Sequence, residues 1–209
     1  MTAATPSASL VELPRKRGPE IVDVFVAAHE GDADLARAFW DADAAPSNAL
    51  RRLFRAAHAQ QITAGAPLGI VETGAVVAVA NYVLPSGCGS LSPSDHLYAW
   101  WTWLGCLALP RHVRLRLRWY SRTAFRLLPY QPRCMLMQLA VAPSAQGHGH
   151  ARALLNAVLE RSRADPHSTG VAITTYSESN VRRYESFGFR VTGQARRERT
   201  PVWALFAPH

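Results

Sequence analysis

The order of apolar runs along this chain predicts an α/β fold built on a mixed sheet. Three observations predict it. Runs of strand length alternate with amphipathic helical patterns along the chain. One such run, Cys134–Val141, leads through a glycine-punctuated turn into a helix pattern at 149–163. With 209 residues, 48% of them apolar, the chain can build one domain with a substantial core.

Residues 1–19 are small, polar and proline-containing, include Arg15, Lys16 and Arg17, and lack the apolar stretch of a secretory signal. They read as a flexible tail ahead of a single domain over 20–209. The run at 21–27 reads as a first strand. Residues 32–59 read as one or two helices, broken near Pro46, with Asp32 as an N-cap. Leu68–Glu72 and Ala75–Val83 flank Thr73-Gly74, a hairpin signal. Residues 85–93 form a Gly/Ser/Pro loop, and 95–128 a helical insert broken at Pro110. Strand Cys134–Val141, helix 149–163, strand 171–176, a short helix at 180–187 and two closing strands from Phe189 and Val202 complete the order.

The turn is Gln146-Gly147-His148-Gly149-His150-Ala151. The first N–H groups of a helix have no intrahelical partner and sit at the positive end of its dipole. A diphosphate accepts hydrogen bonds from several of them at once. Glycines at 147 and 149 let a ligand approach the main chain. A pattern this short arises readily by chance, and residues 190–195 match it too. That second match runs on into Arg196-Arg197-Glu198-Arg199, with no helix to aim at a phosphate. After Ala151, Leu154, Leu155, Val158 and Leu159 continue the stripe of a core-facing helix.

Residues 139–151 resemble the acyl-CoA motif of the GNAT superfamily of N-acetyltransferases. A second block, 174–189, resembles that superfamily's next strand, short helix and Gly-Phe turn, and 201–206 its final strand. The closest likeness is to the branch that includes puromycin N-acetyltransferase, where an arginine-rich helical insert precedes the motif strand, as 110–126 does here. The resemblance implies a GNAT fold: a central mixed, mostly antiparallel sheet flanked by helices, a splayed motif strand and a helical insert before it. It implies acetyl-CoA as cosubstrate and direct transfer to a small-molecule primary amine. A macromolecular amine as acceptor, and a catalytically silent acyl-CoA-binding protein, are the alternatives. Ala142 stands where many relatives carry Asp, and Arg133 near where that branch often has histidine.

The resemblance assigns Leu139, Ala140 and Val141 to the cofactor arm through their backbone groups. It assigns Gln146, Gly147, His148, Gly149, His150 and Ala151 to the diphosphate, and Asn180 to a further cofactor contact. Tyr184, four residues before the Gly-Phe pair, is the expected proton donor to the leaving thiolate. A phenol titrates near 10 when unperturbed, close to a thiol. As structural roles, Asn180 would be an N-cap and Tyr184 a packing residue. Glu178, Asp95 and His96 are candidates for the general base, with a water chain equally suitable. Trp100, Trp101, Trp103 and Trp119 would wall an acceptor pocket suited to an apolar amine.

His148 and His150 sit in a turn, so their side chains diverge and no third ligand is near; no metal is expected. Cys88, Cys106 and Cys134 show no disulfide or zinc spacing, which fits a reducing cytoplasm. The longest apolar run, 97–109, is too short to span a bilayer, so no membrane partner is expected. The net charge of +8 invites a nucleic-acid partner. Lys16 is the only lysine, however, and an arginine bias across the chain accounts for much of the charge. The arginines at 111, 114, 116, 118, 122 and 126 read first as a solvated helix face. A homodimer is left open.

Overall fold

A computed structural model describes residues 8–62, 65–87, 104 and 106–209. Its seven strands form one sheet in the order β1-β2-β3-β4-β5-β7-β6. They are β1 Ser9–Glu12, β2 Leu68–Glu72, β3 Ala75–Val83, β4 Cys134–Val141, β5 Gly170–Thr175, β6 Arg190–Arg197 and β7 Thr200–Pro208. Only β4 and β5 pair in parallel; every other pair is antiparallel. The helices are α1 Gly18–His29, α2 Ala33–Phe39, α3 Ser47–Ile62, α4 Arg111–Leu127, α5 His150–Ala164 and α6 Glu178–Glu185.

The sheet is buried on both faces, which is why β3 carries an almost unbroken apolar run. Strand residues divide between the two cores, and the alternation switches where the register slips. Val76, Val79 and Ala140 join α1, α2 and α3, with Phe25 and Phe39 fully buried among them. Ala78, Ala80 and Leu136 face α5, through Leu154, Leu155 and Val158. Farther along, Leu127 of α4 lies over Gly193 of β6, where a Cβ would stand 2.8 Å from a Leu127 methyl. The second glycine match at 190–195 is therefore a strand that admits a helix residue.

Two readings are corrected. Residues 21–27 belong to α1. Gly18-Pro19 starts the helix, Glu20 sits in its first turn, and Ile21, Val22, Val24, Phe25 and Val26 are buried while Asp23 is exposed. A β-branched run simulates a strand, but tertiary burial on the helical period overrides that propensity. The expected tail over 1–19 contains β1, an exposed edge strand paired with β2 from Ser9↔Val71 to Glu12↔Leu68. Leu13, immediately after it, is 1% exposed and packs on Gly69. Four exposed residues carry no periodicity of their own; their partner defines them. Residues 1–7 lie outside the described residues, as do residues 95–103 of the expected insert.

His58 of α3 is 2% exposed, and neither ring nitrogen has a hydrogen-bond partner. Its ring lies against the start of α1, where a Cβ on Gly18 would be 3.1 Å from Nε2. Burial pushes His58 below the ordinary histidine range. The unfolded chain protonates this ring near its ordinary value of about 6.5, while the folded one resists. Its contribution is thus present above about pH 6.5 and is lost as pH falls through that value toward the lower folded one. Melting temperature should fall between about pH 7.5 and 5.5, and His58→Leu should flatten that fall. An identical pH slope in His58→Leu would show that this ring takes up protons equally in the folded and unfolded states.

Candidate active site

β4 pairs with β5 only from Cys134↔Val171 to Leu136↔Ile173, although β4 runs on to Val141 and β5 to Thr175. Beyond Leu136, β4 is held by β3 alone. The β3–β4 register slips where Asn81 faces Gln138 but Tyr82 faces Leu136, so Met137 is an extra residue. Such a bulge bends its strand and increases the local twist. The Asn81 side-chain amide donates to Gln138 Oε1 at 2.8 Å and ties the shifted strand to its neighbour. Two cavities open along the resulting split. One, of about 420 Å³, runs beside Leu139, Ala140 and Val141 to the glycine turn. The other, of about 270 Å³, lies under α4. They meet at His29, Leu139, Tyr176, Asn180 and Tyr184, which line both.

The turn leaves β4 through a short 3-10 turn, Pro143–Ala145. Gln146 folds back, its amide donating to the Val141 carbonyl at 3.3 Å. Gly147 and Gly149 hold φ of 83° and 81°, left-handed values that an L side chain resists, and Gly149 is the N-cap of α5. A Cβ at either would meet nothing within 4 Å. The first backbone bond of α5 runs from the Ala153 N–H to the Gly149 carbonyl. Among the described residues the N–H groups from Gly147 to Arg152 have no acceptor. This is a row of donors on open space at the positive end of a fifteen-residue helix.

The two histidines divide. His150 is buried, with Nε2 3.0 Å from a Glu72 carboxylate oxygen of the β2–β3 hairpin but without hydrogen-bond geometry. His148 is exposed, and its ring stacks at 5.9 Å on that of His150, so the two side chains do not diverge as expected. Among the described residues no group of three or more His, Cys, Asp or Glu could hold a metal ion.

On the opposite wall, Asn180 lies inside α6, whose N-cap is Ser177, so it faces the cleft without capping the helix. Tyr184 is half-buried and packs on Phe189 at 5.8 Å between ring centroids. Burial pushes its phenol up to about 12, with Arg183 opposing. The expected match to a thiol therefore does not hold: Tyr184 is a weaker acid, held protonated near neutral pH. Glu178 is exposed, pairs with Arg182 at 3.1 Å and lines neither cavity. Asp95, His96, Trp100, Trp101 and Trp103 lie outside the described residues.

Several lining residues escape a reading of the sequence. His29 closes α1, and its Nδ1 lies 2.8 Å from the Phe25 carbonyl. Asp32 caps α2, accepting from the Leu35 N–H at 2.9 Å, as expected. Its second oxygen accepts from the Tyr176 hydroxyl at 2.8 Å. Burial first, then Asp32, pushes Tyr176 well above the ordinary phenol value. Ser177 donates to Asp34 at 2.7 Å, a second bond from the end of β5 to the same helix start. The Gly-Pro start of α1 is the signal that could have found His29, since it carries a helix as far as residue 29.

Helix α4 turns Leu117, Tyr120 and Ala124 toward the smaller cavity and none of its arginines. Arg116 is tied to Asp41 at 2.8 Å and Glu198 at 3.2 Å. Trp119 lies on a separate surface beside Arg197 and does not wall the cavity. Phe39, Phe54, Tyr120, Phe125 and Tyr176 supply the aromatic walls instead. Arg133 turns away onto the carbonyls of Pro129 and Gln131. Among the described residues no helix is long and apolar enough to cross a membrane.

Residues 128–204 match the family model described as an acetyltransferase (GNAT) domain. No curated protein matches the chain. Among solved structures, a Corynebacterium glutamicum protein described as histone acetyltransferase HPA2 and related acetyltransferase is 22% identical, with 97% of each chain covered and a TM-score of 0.64. The C-terminal condensation domain of Ebony, in complex with beta-alanyl-dopamine, is 9% identical, covering 98% of this chain and 100% of that one at 0.70. A Drosophila melanogaster polyamine N-acetyltransferase that forms N-acetylagmatine is 12% identical, covering 97% and 100% at 0.62. At such identities the likeness shows the fold: a seven-stranded, mostly antiparallel sheet flanked by helices, shared with GNAT proteins.

Asp32 joins a helix cap to a hydroxyl across the cleft. Asp32→Ala should cost about 1–3 kcal/mol in denaturant unfolding, from the lost cap and an unpaired hydroxyl. Asp32→Asn, which keeps one acceptor oxygen, should cost less. Equal stability of Asp32→Ala and the parent would show that the latch contributes nothing.

Proposed function

We propose that this chain, as one domain whose sheet begins at β1, transfers an acetyl group from acetyl-CoA directly to a primary amine of a small molecule. It stands nearest the branch that includes puromycin N-acetyltransferase. The observation that carries this reading is the meeting of two unlike cavities at the β4–β5 split: one edged by free backbone donors, the other by aromatic rings. The arginine-rich helix ahead of β4 supports the choice of branch.

The residues present fit the cofactor. Gly147, Gly149, His150 and Ala151 would hold the diphosphate with main-chain N–H groups, and Gln146 supports the turn. Leu139, Ala140 and Val141 would offer the pantetheine arm the backbone edge that β5 leaves unpaired. Asn180 and Arg183 line the far wall. Bound acetyl-CoA supplies a thioester, and a backbone N–H of β4 near its oxygen would stabilise the developing oxyanion in a site shielded from water. Tyr184, kept protonated, would donate to the sulfur as it leaves.

Among the described residues lining the smaller cavity there is no Asp, Glu, Lys or Arg. This favours an acceptor with an apolar or aromatic body over one bearing a second cation. It also weighs against a phosphate-bearing macromolecule, since the arginines of α4 face elsewhere. The test is a screen of an amine library with acetyl-CoA, reading thiol release. Turnover on apolar monoamines is expected; CoA binding without turnover on any amine would overturn the enzymatic reading.

Gly149→Val should raise the cofactor's dissociation constant by about tenfold or more, because valine resists φ of 81° and its side chain would enter the space above the donors. Unchanged affinity in a folded variant would sink the loop assignment. Tyr184→Phe keeps the ring's packing and removes one hydroxyl. It should lower kcat by about 10²-fold with little change in KM. Full turnover with chemistry rate-limiting would make Tyr184 a packing residue.

A further inference from the structure

The geometry points to His29 as the general base of this reaction, its Nε2 taking the proton of the acceptor amine. This rests on the acetyl-transfer reading above. Three observations carry it. The Phe25 carbonyl, 2.8 Å from Nδ1, can only accept a hydrogen bond, so Nδ1 bears the hydrogen in the neutral ring. That leaves the lone pair on Nε2, which no described residue engages. And His29 is one of the residues that line both cavities, at the place where an amine and a thioester would have to meet.

The ring is also held in place. Phe54 of α3 packs on it at 4.8 Å between centroids, and the bond to Phe25 runs back along α1. The ionisable groups lining the cavities beside it include His150 at the start of α5 and Arg183 of α6. Asp32, ahead of α2, favours its protonated form. Tyr120 of α4, Tyr176 after β5 and Tyr184 of α6 are phenols that burial keeps neutral. Burial of the imidazole outweighs the hydrogen bond to Phe25 and the field of Asp32, and holds His29 below the ordinary histidine range. Near neutral pH it is therefore an unprotonated base.

The step balances. The neutral amine nitrogen bonds to the thioester carbonyl carbon while one of its hydrogens passes to Nε2. The carbon–sulfur bond breaks, and the sulfur takes the Tyr184 hydroxyl proton. The imidazolium, stabilised by Asp32, then returns its proton through water to the Tyr184 oxygen, restoring both groups. The same carboxylate that latches Tyr176 thus also serves the charge that appears on His29.

The test uses the full chain, acetyl-CoA and the best amine from the screen. His29→Gln should lower kcat/KM by about 10²-fold or more. It should leave CoA affinity by calorimetry within about twofold and abolish the acidic limb of the kcat/KM–pH profile. Imidazole added to His29→Ala should restore part of the rate. An active parent with full kcat/KM and an unchanged acidic limb in His29→Gln would overturn the assignment and leave the acetyl-transfer reading standing. A parent inactive on every amine would overturn both. If the variants do not fold, nitrogen NMR of the parent's imidazoles decides: a neutral ring with hydrogen on Nδ1 at pH 7 is expected, and hydrogen on Nε2, or a charged ring, would overturn the base.

Discussion

Everything at the candidate site depends on one backbone event: β4 stops pairing with β5 after Leu136. A parallel pair broken inside a sheet leaves main-chain donors and acceptors without partners, and such groups are costly to bury. Here they face cavities rather than packed core, so the cost is deferred to whatever enters. The Met137 bulge bends β4 away, and β3 alone carries the strand through to Val141. The glycine turn then inherits its position from that diverted strand. Were β4 and β5 to stay paired to their ends, Leu139 and Ala140 would lie against β5, and α5 would aim its free N–H groups at no cavity.

The gap needs a brace, and the structure supplies one from the far side. Asp32 and Asp34, at the start of α2, hold Tyr176 and Ser177 just beyond the end of β5. These bonds join segments more than 140 residues apart in sequence. They fix the wall from which Tyr184 and Asn180 project, and they bring the end of α1, with His29, to the same place. At the opposite end His150 lies beside Glu72 of the hairpin. Polar side chains at this site thus serve first as fasteners that keep an interrupted sheet rigid. Each fastened side chain also narrows the chemistry left open: Asp32 is engaged, whereas the His29 Nε2 and the row of N–H donors are not.

Much of this was legible beforehand. The hairpin at Thr73-Gly74 and strand β4 keep the ranges read from their sequence, because period-two patterning and turn chemistry are local. The strand–glycine–helix unit was legible for the same reason, and context separated it from the match around Gly193. What failed was equally physical. The β-branched run at 21–27 suits a strand or a helix, and burial decided for α1. Strand β1 has no pattern because its exposed residues answer only to β2. His148 and His150 were expected to diverge from their turn, yet their rings stack. Tyr184 kept its place, but its acidity is set by surroundings that no sequence interval records.

The sequence by itself determined the α/β class, the position of the glycine turn, the cap at Asp32 and the candidate tyrosine, since each follows from residues a few positions apart. Only the tertiary structure decided that β4 leaves β5, that α4 offers aromatic rings rather than arginines to the smaller cavity, and that His29 faces the junction. Those outcomes rest on contacts between distant segments. A dihedral preference or a hydrophobic period acts over one turn or one strand, while the meeting of α1, α2, β5 and α6 follows from burying two apolar cores on opposite faces of one sheet.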